Sequence, residues 1–437
     1  MKKVLIVSPH FPPVNAPDMQ RVRLALPYFK AQGWEPTVLS VHPDSVEGAV
    51  IEQRLLETYP PGVRVIRVKG MPARYTRWLG LGSLWWRCRP ALRQAGDRLL
   101  ATEHFDLVFF STTQFDVFTL GPHWRRRFGV PYILDYQDPW INDYYHRTGT
   151  RPPGGYLKFG FSQFLARRIE PSVLRSASGV IAVSAAYGPE LHRLYPWFPA
   201  SSVRTIPFGA AAADIEIARL HPPATPLVPF DDGNFHHMYA GRCGPDMTIA
   251  LTSIFRAFKR YLASHPSEAS KHRFHFIGTD YAPPPLGRYW ALPIAKQEGI
   301  TPYLTEHCYR VAYFDALHYL VRADALMVVG SNDPTYSASK IFPYLLARRP
   351  VITVAHDQSA MITLARGQRI INTYGFNEQT DIDTLSEKIW EEWFANGGCQ
   401  RLHIGDPSLL AAHTAEKMTA ALVSVFNDSL QNPSAET

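Results

Sequence analysis

The chain has 437 residues, 46% of them apolar, and a formal net charge of +7. That length suits two domains of about 200 residues, each able to bury its own core, and no apolar run reaches the roughly 18 residues that a membrane-spanning helix needs. Cys88, Cys243, Cys308 and Cys399 are widely separated, which argues against a disulfide framework or a CxxC metal site and fits a reducing, cytoplasmic setting.

The positive excess lies within residues 1–218. It fits a surface that meets anionic lipid or an anionic acceptor. No nucleic-acid motif accompanies it, so no nucleic-acid partner is expected.

Val4 to Ser8 is a short apolar run followed by Pro9, and reads as a first strand rather than a signal segment. A loop through Asn15 follows, then a helix expected from Asp18 to Gln32 and stopped by Gly33. Pro36 to Val41 is the next strand. This is the opening strand–helix–strand unit of a doubly wound sheet. Asn15, Asp18 and Arg21 are candidate substrate contacts, with helix capping by Asp18 as the alternative. A third strand is expected over 63–68. The span 73–98 carries Trp78, Trp85 and Trp86 among Arg74, Arg77, Arg87 and Arg89. Tryptophan suits a membrane interface and arginine pairs with lipid phosphate, so peripheral contact with an anionic membrane is expected here. A helix packing its tryptophans inward is the alternative. Tyr156, Phe159, Phe161 and Phe164 recur at near-helical spacing and are expected to be core.

Strands are expected over 106–111 and 132–136, the second running into Gln137-Asp138-Pro139-Trp140. Asp135 and Asp138 stand at its carboxyl end, pointing opposite ways if the chain stays extended. A carboxylate at Asp138 can orient or deprotonate a hydroxyl; capping the turn before Pro139 is the alternative. Strands over 178–184 and at Val203 complete the first half.

Residues 220–234 are proline-rich and unpatterned, as a linker is. A strand over 235–241 delivers Arg242, a residue type suited to bidentate phosphate contact. His236 and His237 are adjacent on that strand and point to opposite faces, so no metal site is expected. A helix over 247–262 and a strand ending at Gly278 come next. The strand 324–330, a polar loop, a helix over 339–348 and a strand over 350–354 form a second parallel unit. The loop supplies Asn332, Tyr336, Ser337, Ser339 and Lys340, and backbone N–H groups at that helix start can hold an anion; a serine cap is the alternative. The last helices are expected over 381–396 and 407–427.

Several of these segments resemble retaining nucleotide-sugar glycosyltransferases of the GT-B fold, close to glycosyltransferase family four and to its members that build bacterial surface polysaccharides. Ser339-Lys340-Ile341-Phe342-Pro343-Tyr344 and Arg349-Pro350-Val351-Ile352 are similar to its donor-side segment, and Leu134-Asp135-Tyr136-Gln137-Asp138-Pro139-Trp140 to its acceptor-side one. Phe11-Pro12-Pro13, Arg21 and Gly241-Arg242 match as well. The resemblance implies an α/β chain of two facing Rossmann-like domains with an interdomain cleft. The acceptor-side domain would span 1–219, the linker 220–234, the donor-side domain 235–405, and a final helix over 406–437 would return to the first domain. It implies sugar transfer from a nucleotide-sugar to a glycan or lipid-linked acceptor at the inner membrane face. Arg242, Gly278, Tyr336, Ser337, Ser339 and Lys340 would meet the donor, Asp138 the acceptor, with Asn15, Asp18, Arg21 and Asp135 lining the cleft. No cofactor or metal is expected. The sequence departs from the family at Thr335 and Pro343, where glutamates are usual, at Ala16-Pro17 in place of two glycines, and at Phe208 in place of Asn. A scaffold that kept the fold without catalysis, or a nucleotide-sugar epimerase, are the rival readings.

Overall fold

A computed structural model describes residues 1–76, 83–141, 155–282, 284–334, 341–370, 372–402 and 410–431. Internal contacts divide the chain into two compact units, Met1–Gly209 with Ala415–Thr437, and Ala210–Thr414.

The first unit is built on seven parallel strands: β1 (Lys2–Val7), β2 (Trp34–Val41), β3 (Arg64–Val68), β4 (Leu107–Ser111), β5 (Tyr132–Tyr136), β6 (Gly179–Ala182) and β7 (Val203–Thr205). Their spatial order is β3-β2-β1-β4-β5-β6-β7. Val4 to Val7 and Leu107 to Phe110 are essentially inaccessible to solvent. Parallel strands covered on both faces read as unbroken apolar runs. Phe426, on the helix Ala415–Gln431, closes one face against Phe29, Trp34 and Phe109, with ring centroids 5.1 to 6.0 Å apart.

The second unit repeats the plan with six strands: β8 (Phe235–Ala240), β9 (His272–Ile277), β10 (Leu304–His307), β11 (Ala325–Val329), β12 (Val351–His356) and β13 (Thr373–Phe376), in the order β10-β9-β8-β11-β12-β13. All pairs are parallel. The helix Thr248–Ser264 buries Leu251, Ile254, Phe255 and Phe258 on this sheet. The helix Ala212–Leu220 packs in this unit through His318, whose ring bonds the Ala218 carbonyl at 2.8 Å.

In each sheet the first strand lies beside the fourth, β1 by β4 and β8 by β11. The strand order reverses there, and in open parallel sheets of this kind ligands bind outside the carboxyl ends of the strands at such a point. This switch point is what positions the candidate sites.

Four expectations change. The helix expected over 18–32 is a 3-10 turn at Pro17–Met19, an α-helix at Gln20–Ala25 and a second 3-10 turn at Lys30–Gln32. Pro27 has no N–H to continue the ladder, and breaks it. The final helix is described from Ala415. The aromatics of the helix Tyr156–Arg175 are not core: Phe161 is 65% and Phe164 52% exposed, and full burial begins only at Ala166. Periodicity identifies a face and does not say what covers it. The tryptophans divide. Trp85 is buried, Trp86 is exposed beneath the Arg89 guanidinium, and Trp78 lies outside the described residues.

Candidate functional site

At the carboxyl edge of the first sheet, the loops after β1, β4 and β5 converge. Asp18, from the first of them, is buried. It accepts hydrogen bonds from Thr112 Oγ1 at 2.8 Å and Thr113 N at 3.2 Å, both just beyond β4. Its carboxylate also meets His10 Nδ1 at 2.8 and 3.0 Å. Burial alone would favour the neutral acid, but the bond and charge of His10, with Thr112 and Thr113, outweigh it and hold the carboxyl below its ordinary range.

Beneath this layer sits a buried ion pair. Arg21 Nε donates to Asp135 Oδ2 at 2.8 Å, and neither side chain reaches solvent. Arg21 also donates to the Ile206 carbonyl at 2.6 Å, and its guanidinium lies 4.8 Å from the Phe208 ring centroid. Phe208, which replaces the family's Asn, therefore packs on this pair. Asp135 Oδ2 further accepts from Ser111 Oγ at 2.7 Å and Gln137 Nε2 at 3.1 Å. Arg21 and Asp135 were expected to line a cleft; in this structure they are closed over and brace the strand ends instead. Asn15 is buried too, donating to Glu52 Oε2 at 3.1 Å.

Asp138 behaves differently from Asp135. It lies past the end of β5, and water reaches it. The protein around it still penalises its charge, and the Asp18 carboxylate adds like-charge repulsion, so its carboxyl is pushed up to about 6. Asp18 and Asp138 are thus electrostatic neighbours with opposite shifts, a pattern typical of acid–base sites.

In the second unit, Arg242 leaves β8 at its switch point. Its NH2 and NH1 groups donate to Asp246 Oδ1 and Oδ2 at 2.7 and 3.0 Å. A side chain at Gly244 would come within 2.8 Å of that guanidinium, so glycine makes room for the pair. The Asp246 carbonyl accepts from Asn332 N at 2.8 Å, tying the loops after β8 and β11 together. Tyr344 closes the end of β8: Ala240 N donates to its hydroxyl at 2.9 Å. Gly278, at the end of β9, has a φ of +70°, which side-chain-bearing residues rarely adopt. Beside it Thr279 donates to Glu306 Oε1 at 2.6 Å, and Glu306 accepts the backbone N–H groups of Trp290, Ala291 and Leu292 at the start of the helix Ala291–Glu298. Tyr336, Ser337, Ser339 and Lys340 lie outside the described residues.

His236 and His237 have separate partners, His275 at 2.9 Å and His272 at 2.8 Å. Among the described residues no cluster of three or more His, Cys, Asp or Glu side chains is arranged to hold a metal ion. No described helix is long and apolar enough to cross a membrane.

The sequence reading passed over His10 and Asp246 as site groups. His10 and Asp18 are eight residues apart in an irregular loop, so no period pairs them. Asp246 lies four residues after Arg242 across a loop that is extended at Gly244, so no helical spacing pairs them.

Two doubly wound parallel sheets of seven and six strands define a GT-B glycosyltransferase-like fold. The HepE protein of Anabaena, solved in complex with UDP-glucose, superposes with a TM-score of 0.58 at 13% identity, over 98% of this chain and 100% of that one. A UDP-forming α,α-trehalose-phosphate synthase from Burkholderia xenovorans gives 0.60 at 14% identity, over 100% of each chain. A glycosyltransferase from Rickettsia africae gives 0.58 at 10% identity, over 99% of each. Residues 20–209 match the family model described as a glycosyl transferase 4-like domain. The first unit is therefore similar to a glycosyl transferase 4-like domain. No curated protein sequence matches the chain.

Proposed function

We propose that this protein transfers a sugar from a nucleotide-sugar donor to a glycan or lipid-linked acceptor in surface-polysaccharide synthesis, with retention at the anomeric carbon. The observation that carries the reading is Arg242, a guanidinium at the switch-point end of β8, where an anionic ligand of such a sheet is expected. Its forked donors match a phosphate as well as they match Asp246. The UDP-glucose bound to the Anabaena protein supports a donor of this class. In this reading Arg242 and Lys340 balance the charge of the leaving diphosphate. Tyr336, Ser337, Ser339 and Gly278 complete the donor side. Asp138 orients the acceptor hydroxyl, with Asn15 and Asp18 behind it.

The exposed Leu157, Phe161 and Phe164, with Trp86 and nearby arginines, support peripheral contact with the inner face of the cytoplasmic membrane.

The engagement of Arg242 by Asp246 favours one rival: a protein that keeps the fold as a binding scaffold, its phosphate ligand replaced by an internal carboxylate. Thermal-shift binding to UDP and GDP separates the two. A nucleotide at a hundredfold its dissociation constant adds about 2.7 kcal/mol. A shift that Arg242→Ala abolishes supports the transferase reading; no shift with any nucleotide supports the scaffold.

A further inference from the structure

We infer that the first unit binds a carboxylate-bearing sugar of the acceptor glycan in a cleft at the outer edge of its sheet, with Arg67 as the carboxylate contact. The inference rests on the transferase reading above and names the class of acceptor, an acidic glycan.

β3 is an edge strand, hydrogen-bonded only to β2. Its alternate residues face opposite ways. Ile66 and Val68 pack against the core. Val65 and Arg67, on the other face, line an open cleft of about 510 Å³. Pro13, Leu56 and Val63 extend its apolar wall, and His42 and Tyr59 join Arg67 as its polar groups. Apolar walls with a few convergent polar groups, at this volume, are what a small-ligand site needs. A sugar ring offers the matching surface, with C–H faces for the walls and oxygens for the donors.

Each polar group keeps unused capacity. Arg67 donates to the Pro12 carbonyl at 2.9 Å, which fixes the guanidinium beside the loop after β1, and its other N–H groups have no protein partner among the described residues. His42 meets Asp44 through Nδ1 alone, which leaves Nε2 for a ligand. Tyr59 packs on Phe11 with ring centroids 5.3 Å apart, and its hydroxyl has no partner among the described residues. No Asp or Glu is among the described residues that line the cleft, and Asp44, behind His42, lies largely in solvent. An anion there meets a guanidinium and no lining carboxylate. The planar fork of Arg67 matches a carboxylate, which carries one charge, in shape and in charge. The positive excess of residues 1–218 has the sign that draws such a ligand in.

The cleft lies at the carboxyl edge of the sheet. His42 directly follows β2, and Pro13 belongs to the loop that carries Asn15 and Asp18. β2 and β3 stand three and four places from β5, which leads into Asp138. At about 4.8 Å per strand that is roughly 14–19 Å along the sheet. The cleft therefore holds a sugar remote from the reacting hydroxyl and takes no part in the chemical step.

The test titrates the full chain by isothermal calorimetry with trigalacturonate and with its methyl ester, which keeps the sugar skeleton and removes the charge. The acid should bind about tenfold tighter than the ester, as one charge-assisted contact in a partly wet cleft allows. Arg67→Gln should abolish that preference. Leu56→Glu, at an exposed position on the wall, should abolish it too by setting a like charge over the cleft, and it serves where Arg67→Gln does not fold. Equal binding of acid and ester, no binding of either, or a preference that survives in the folded variants overturns the inference. The nucleotide thermal shift is read separately. Acid preference without any nucleotide shift overturns the transferase reading and leaves the cleft as an acidic-sugar site. A nucleotide shift without acid preference overturns the cleft assignment alone.

Discussion

Asp246 holds Arg242 through two hydrogen bonds of 2.7 and 3.0 Å, across the loop that follows the strand delivering the arginine. The carboxylate orients the guanidinium and at the same time opposes any anion that approaches it. Its own pKa reflects the bargain. Burial pushes the carboxyl up, but the bond and charge of Arg242, helped by Ser331, hold it below the usual range. Asp246→Asn keeps the shape and removes the competing charge. Affinity for a nucleoside diphosphate is expected to rise three- to tenfold, roughly 1 kcal/mol for a partly exposed ion pair. Isothermal titration with UDP and GDP measures it; weaker binding would mean that Asp246 matters more as an orienting group.

Arg21 and Asp135 should reveal themselves through stability. Both are fully buried, so Arg21→Met strands a carboxylate without its cation. Loss of one partner of such a pair costs about 3–5 kcal/mol. Urea unfolding followed by the tryptophans of the first unit measures this, and a loss below about 1 kcal/mol would contradict a bracing role.

The histidine pairs of the second sheet should make that unit sensitive to acid. Burial lowers His272 to about 4 and His275 to about 3, and the buried His237 is lowered as well. The unfolded chain takes up these protons from its ordinary value of 6.5 downward, while the folded chain refuses them. Stability is therefore full above pH 6.5 and falls as the pH drops towards 4, by several kcal/mol on the order of one per pKa unit per group. Melting temperature against pH should show the slope, and His275→Gln should reduce it.

Asp138 is expected to set a pH dependence of acceptor binding. With its carboxyl near 6, it is ionised above that value. Acceptor KM should fall as pH rises through about 6. Asp138→Asn should raise KM about tenfold and flatten the profile, as for removal of a charged hydrogen-bonding partner. Steady-state kinetics from pH 5 to 8 test this, and an unchanged profile would exclude Asp138 as the acceptor contact.

Membrane contact is expected to run through the helix Tyr156–Arg175. Phe161→Ser with Phe164→Ser removes two exposed rings without touching the core. Flotation with phosphatidylserine vesicles should drop at least tenfold, since burying one such ring contributes about 1.5–3 kcal/mol. Trp85→Ser is the wrong probe, because Trp85 is core. Unchanged flotation would remove this surface from the account.

By itself the sequence determined the alternation of buried strands and helices, the strand ends at Arg242, Asp135 and Gly278, and the family resemblance. Unbroken apolar runs, glycine stops and the proline-rich stretch after Leu220 are local signals, and local signals survive without a tertiary structure. What it left open was settled by contacts between distant segments. Arg21 and Asp135 are 114 residues apart and become one buried pair only when strand order brings β5 near the loop after β1. Phe161 and Phe164 carry a helical period yet stay on the surface, because burial depends on what packs against a face and not on the face. His10 gains its meaning from a partner in an irregular loop, where no period relates one residue to another. Sequence spacing reports the geometry of one element; which elements meet is decided by how the whole sheet closes.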